Sequence, residues 1–144
     1  MARQNRDRHV FGETNPIYCL TANDATIYTG DLLYMSGNYV YPMAYSTANR
    51  VNTSFIGVAM QYAYDKDPTT IRVATSGVFE FDTSDTFIIG ESVYQGVSDA
   101  QTVYGVGDRS TVTAGIGRAW KRYASTTTKV LVNIENTVFF PVPT

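Results

Sequence analysis

The chain reads as all-β: a small barrel or two-sheet sandwich built from two similar β-meander repeats of about sixty residues, preceded by an extended N-terminal arm. Three observations predict this. The sequence echoes itself at a single offset: Gly30-Asp31-Leu32-Leu33-Tyr34 returns as Gly90-Glu91-Ser92-Val93-Tyr94, Ile56-Gly57-Val58-Ala59 as Ile116-Gly117-Arg118-Ala119, and Val78-Phe79 as Val138-Phe139. A repeat of this length is a supersecondary unit that cannot bury its apolar face alone. Eleven Tyr and seven Phe, set among many Thr and Val, suit a pleated and half-buried surface. Short apolar runs are separated by turn residues, and no eleven-residue stretch carries a helical period.

Taken in order, residues 1–15 form a polar run holding Arg3, Arg6, Arg8, His9 and Phe11, closed by Asn15-Pro16. It reads as an arm, either frayed or ordered on a partner. Residues 16–144 read as one domain, with repeat 1 at about 26–81 and repeat 2 at about 86–140. Ile17–Leu20, Ala25–Tyr28 and Leu32–Ser36 are candidate strands, and Ser36-Gly37-Asn38 is a hairpin turn into Tyr39-Val40-Tyr41, which Pro42 ends. Phe55–Tyr64 and Ile71–Thr75 form a hairpin around Asp65-Lys66-Asp67-Pro68, and Val78–Phe81 follows. In the second copy Phe87–Ile89, Ser92–Tyr94, Val103–Tyr104, Thr113–Tyr123, Lys129–Ile134 and Val138–Phe140 take the corresponding places. Any helix is a single turn near Ser46–Asn52 or Asp108–Thr111. Gly30 and Gly90 sit where a turn requires positive φ. Gly57 and Gly117, inside strands, point to a close approach of the two halves near a pseudo-twofold axis.

Composition narrows the function. A length of 144 residues suits one domain, which buries roughly two-thirds of its unfolded surface. A net charge of −2 argues against nucleic acid as the main partner. One cysteine, Cys19, allows no internal disulfide and reads as a buried small apolar residue. The basic, polar start has no apolar core like that of a secretory signal, and no stretch is apolar enough for a membrane helix, so synthesis in the cytoplasm is expected. Asn52-Thr53-Ser54 matches a glycosylation acceptor by accident in that setting.

Chemistry is sparse. The one histidine, His9, lies in the arm, so the sequence offers no histidine cluster for a metal and no Ser-His-Asp arrangement. Gly105-Val106-Gly107-Asp108-Arg109-Ser110 lacks the last glycine and the following helix of a dinucleotide loop. Asp65 and Asp67 begin like a calcium loop, but Pro68 and the absent downstream Glu remove the rest. Asp82 and Asp85 are the one carboxylate pair suited to acid–base work, although both are ordinary turn formers. In Trp120-Lys121-Arg122-Tyr123 the strand period places Trp120 and Arg122 on one face and the other two opposite, which suits a subunit contact better than a base-stacking platform. No catalytic residue, cofactor or metal is expected. Tyr39, Tyr41, Tyr45, Trp120, Phe139 and Phe140 are candidates for a subunit interface, where amphipathic aromatics are favoured.

The run Ile71-Arg72-Val73-Ala74-Thr75-Ser76-Gly77-Val78-Phe79-Glu80-Phe81 after Phe55-Ile56-Gly57-Val58-Ala59, with the Gly30–Tyr34 opening and its return at Gly90–Tyr94, resembles the capsid decoration, or cement, proteins of tailed bacteriophages. The resemblance covers about residues 26–134. It implies a β-barrel or β-tulip module, commonly a homotrimer, on the outer capsid surface, with the major capsid protein as partner. By analogy of position, Arg3, Arg6, Arg8, His9 and Phe11 would belong to a capsid-gripping arm. It implies no enzymatic activity, no membrane contact and no direct nucleic-acid binding. Alternatives are a tail or adaptor protein of the virion, and a β-barrel ligand-binding module or enzyme using Asp82 and Asp85.

Overall fold

The protein is all-β. The computed structural model describes residues 5–22, 25–42, 55–64, 69–95, 100–105, 115–122 and 128–135. Among these are eleven strands: β1 (His9–Phe11), β2 (Ile17–Thr21), β3 (Leu32–Ser36), β4 (Tyr39–Pro42), β5 (Phe55–Ala59), β6 (Thr70–Ala74), β7 (Val78–Asp82), β8 (Ser92–Gln95), β9 (Val103–Tyr104), β10 (Gly115–Arg122) and β11 (Lys129–Ile134). The candidate strand Val138–Phe140, the two suggested helical turns and the acidic hairpin tip lie outside the described residues.

The sixty-residue echo is a structural repeat. Strands β2-β4-β3-β5-β6 form a closed barrel, and β1-β7-β11-β10-β8-β9 form a six-stranded sheet. The barrel's run β4-β3-β5-β6-β2 is matched in the sheet by β9-β8-β10-β11-β7. Leu33 pairs with Gly57 as Val93 pairs with Gly117. β6 pairs antiparallel with β2 as β11 pairs with β7. The barrel closes through parallel pairing of β2 with β4, whereas β7 meets the second unit's β9 end through one parallel bridge, Asp82↔Thr102. Each repeat is therefore a five-stranded module, the first fully closed and the second barely so.

This geometry corrects several expectations. β7, read as the end of repeat 1, fills in module 2 the place that β2 fills in module 1, so the modules run from Ile17 to Ala74 and from Val78 to Ile134. Gly57 and Gly117 do not mark a crossing of the halves. A Cβ on Gly57 would lie 1.8 Å from the Ala74 carbonyl oxygen, and one on Gly117 would lie 2.1 Å from that of Asn133. Each glycine thus admits the neighbouring strand of its own module. Ala25–Tyr28 contributes only the bridge Ile27↔Ala63, Phe87–Ile89 is not a strand, and β5 stops at Ala59. The Gly37-Asn38 hairpin and the Lys129–Ile134 strand lie where the sequence puts them.

Strand alternation divides the core in two. Cys19, Ile27, Leu33, Val40, Ile56, Ala59, Ala63, Ile71 and Val73 fill module 1. The intervening residues Leu32, Tyr34, Phe55, Val58 and Ala74 join the second cluster with Phe79, Phe81, Phe87, Val93, Val103, Ile116, Ala119, Val130, Val132 and Ile134. One face of the first barrel is thereby buried against module 2. At the positions equivalent to Leu32, Tyr34, Phe55 and Val58 module 2 carries Ser92, Tyr94, Gly115 and Arg118, all at least partly exposed. A polar outer face of this kind ends a stack of repeats.

Candidate interaction surface

The arm is extended, but its described part lies along its own body rather than projecting from it. Asn5 Oδ1 accepts the Thr29 N–H at 2.9 Å, and the Arg6 N–H donates to the Thr29 carbonyl at 3.0 Å. β1 then pairs antiparallel with β7 at the edge of the six-stranded sheet. Thr14 and Asn15 carbonyls accept bonds from the Thr75 backbone and hydroxyl at 2.8 and 2.7 Å. The arm therefore straps module 1 to module 2.

A buried polar junction fixes this strap. Arg8 is 2% exposed. Its guanidinium donates to the Glu80 carbonyl at 3.1 Å, to Gln101 Oε1 at 2.8 Å and to Asp82 Oδ2 at 3.3 Å. Gln101 Nε2 in turn donates to Asp31 Oδ1 at 2.8 Å, crossing from module 2 to the fully buried carboxylate of module 1. Lys129 Nζ donates to Asp82 Oδ1 at 3.0 Å, and Arg6 pairs with Glu80. Burial pushes the Asp82 carboxyl up. The Lys129 hydrogen bond and the charges of Arg8 and Lys129 outweigh it and leave the group below its ordinary value. Burial lowers Arg8, which stays charged because a guanidinium starts from so high a value.

The expected site residues are dispersed. Arg8 is withdrawn from any arm contact with a partner by its burial, which corrects its assignment. Arg6 is partly exposed. His9 bonds the Gly12 carbonyl at 2.8 Å and packs its ring on Phe79. Phe11, 40% exposed, meets Trp120 edge-on at 4.6 Å. Tyr39 is exposed beside its strand partner Leu20, whereas Tyr41 stacks on Tyr34 against the core. Arg3, Tyr45, Phe139 and Phe140 lie outside the described residues. Asp82 and Asp85 do not converge: Asp82 faces Arg8 and Lys129, while Asp85 Oδ2 accepts the Gly105 N–H at 2.7 Å. Cys19 is buried in the first barrel, and desolvation raises its thiol. No group of metal-ligating side chains occurs among the described residues, and no helix there is long and apolar enough to cross a membrane.

Other features escaped the sequence reading. Tyr18 and Leu20 on β2, with Tyr39 beside them, make an apolar stripe on the barrel, and Ile88 and Ile89 stand 76% and 73% exposed on a turn. Alternation alone cannot tell the outside of a barrel from the face covered by a second module. The isoleucines did carry a signal, because in the aligned repeats Tyr28-Thr29-Gly30-Asp31 is answered by Ile88-Ile89-Gly90-Glu91. No protein family matches this chain, and no curated protein matches it.

Proposed function

We propose that the protein is a non-enzymatic structural component of a phage virion, a decoration protein that binds the outer surface of the major capsid protein lattice, as a homotrimer. The observation that carries this reading is the distribution of surface. Among the described residues apolar side chains are exposed in several places, including Tyr18/Leu20/Tyr39, Tyr62/Tyr64, Phe11/Trp120 and Ile88/Ile89, while the buried ionic groups serve to join two modules. A body with several modest contact patches suits lattice attachment, where simultaneous weak contacts multiply. The resemblance of the Gly30–Tyr34, Phe55–Ala59 and Ile71–Phe81 runs to cement proteins supplies the identity of the lattice.

The burial of Arg8 moves the expected contacts from the middle of the arm to these patches, with Arg6 and Phe11 still at the surface. Electron microscopy of purified particles with the protein present and depleted is the test. Difference density on the outer face of the shell is the expected result. Density confined to the tail or its adaptor would transfer the protein there, and its absence from particles would end the virion reading.

A further inference from the structure

The two modules carry the same turn, and among the described residues only the first has its outer main chain bonded by another segment. In module 1 Tyr28 N–H donates to Asp31 Oδ2 at 3.0 Å, Asp31 N–H to the Tyr28 carbonyl at 3.0 Å and Gly30 N–H to the Ala59 carbonyl at 2.8 Å. In module 2 Ile88 N–H donates to Glu91 Oε2 at 2.9 Å, Glu91 N–H to the Ile88 carbonyl at 3.0 Å and Gly90 N–H to the Ala119 carbonyl at 2.8 Å. Gly30 and Gly90 share a positive φ, 96° and 90°. Each turn leaves one residue, Thr29 or Ile89, with both main-chain groups directed away from the fold's own bonding. On Thr29 both are taken by the arm: Asn5 Oδ1 receives its N–H and the Arg6 N–H reaches its carbonyl. On Ile89 neither has a partner among the described residues. A Cβ on Gly30 would meet the Arg6 carbonyl at 2.5 Å, whereas one on Gly90 meets nothing described within 4 Å.

The side chains change in the direction opposite to exposure. Where module 2 shows solvent the face that module 1 buries, Leu32 becomes Ser92 and Val58 becomes Arg118. At the turn, Thr29 instead becomes Ile89, and both isoleucines are about three-quarters exposed. A main-chain N–H and carbonyl with no protein partner among the described residues, flanked by exposed aliphatics, is the chemistry of a seat for extended polypeptide, in which main-chain bonds give affinity and side chains give selectivity.

We propose that the Ile88–Glu91 turn is the docking point for an extended segment of a partner protein, held as Asn5-Arg6 is held on Thr29, but apolar where the arm is basic. The template is the arm-on-turn contact already present in the first module. The choice of an apolar occupant follows from the two isoleucines and from Arg118, whose guanidinium already bonds the Gly90 carbonyl at 3.0 Å and would disfavour a second cation. The assignment deepens the virion reading, which counts Ile88/Ile89 among its contact patches, and the peptide titration fails separately from the particle microscopy that tests that reading.

The test titrates the ¹⁵N-labelled full-length protein with a blocked peptide of residues 4–11 carrying Arg6→Val and Arg8→Val. The expected result is saturable amide shifts over Ile88–Glu91 at about millimolar peptide, with affinity about tenfold lower for the unsubstituted peptide. The shifts should vanish in an Ile88→Ser/Ile89→Ser protein whose unfolding midpoint equals that of the wild type. Absence of shifts at these residues overturns the proposal, as do shifts at Tyr28–Asp31, which would report displacement of the arm. Equal binding of the basic peptide overturns the apolar selectivity. Shifts produced by protein concentration alone, and removed by the same double substitution, would assign the turn to a second copy and overturn the partner assignment.

Discussion

Arg8 lies buried where the arm crosses between the modules, its guanidinium bonded to Glu80, Asp82 and Gln101. In the sequence it stands in a polar N-terminal run with Arg3 and Arg6, where Asp7 is the one acidic neighbour, and its charge reads as open to a partner. Its acceptors are more than seventy residues away, on β7 and in the Ala100-Gln101 turn. Removing one member of a buried ionic set leaves the others uncompensated, so Arg8→Met is expected to cost about 3 kcal/mol of folding stability, read as a shift in urea midpoint. Arg8→Lys should recover little, since a single ammonium cannot present the planar fork that bonds Glu80, Asp82 and Gln101 together. The same junction predicts acid sensitivity. The Asp82 carboxyl is depressed in the folded protein, so its stabilisation is complete above the unfolded value of about 4 and is lost as pH falls through the lower folded value. Thermal midpoints measured from pH 6 to pH 2 should therefore drop at the acid end. Asp82→Asn should lower the midpoint at pH 6 and flatten that drop.

Strands were legible in the sequence wherever alternation and turn residues agreed. Lys129–Ile134 and the Ser36–Tyr39 hairpin are read correctly because local chemistry determines both. The phase of the repeat was not legible. Ile17-Tyr18-Cys19-Leu20-Thr21 and Val78-Phe79-Glu80-Phe81-Asp82 share no residue position by position and differ in burial, since β2 alternates while β7 is buried everywhere except at Glu80, and pairing partners are set by the rest of the sheet. The arm's edge pairing was hidden for a related reason: β1 is three residues long, with an irregular register against β7. That pairing makes the arm structural. Deleting residues 1–12 is expected to lower the unfolding midpoint and, by baring the β7 edge, to promote self-association visible by light scattering. The paired turns offer a finer measurement. Gly90→Ala should cost about 1 kcal/mol through its positive φ alone. Gly30→Ala adds the collision with the Arg6 carbonyl and should cost about 2 kcal/mol more, with faster amide exchange at Arg6. Equal costs at the two glycines would show that the arm contributes nothing at Thr29.

At the scale of the whole molecule, two copies of one design are made unequal by where they sit. Module 1 needs an apolar outer face because module 2 covers it, and module 2 needs a polar one because no further module follows within the described fold. The echo of glycines and apolar residues made the repeat readable, since both modules need the same turns and the same interior. The inequality was written in the positions that fail to repeat, and these carry no meaning until it is known which face of each strand looks inward. The Leu32 N–H bond to the Ala100 carbonyl at 2.8 Å and the shared cluster of Tyr34, Phe55, Val58, Phe79 and Phe81 join the modules into one cooperative body. Exchanging equivalent residues separates module position from residue chemistry. Leu32→Ser places a hydroxyl in the inter-module core and leaves a cavity, and it is expected to cost about 3–4 kcal/mol. Ser92→Leu, the same exchange in reverse at the partly exposed equivalent, should stay within about 0.5 kcal/mol. Val58→Arg should prevent folding, because an unpaired guanidinium has no exit from that core, whereas Arg118→Val should leave the urea midpoint nearly unchanged. Similar losses for both members of either pair would mean that module 2's outer face is also covered in solution, and that the stack of repeats continues into a second chain.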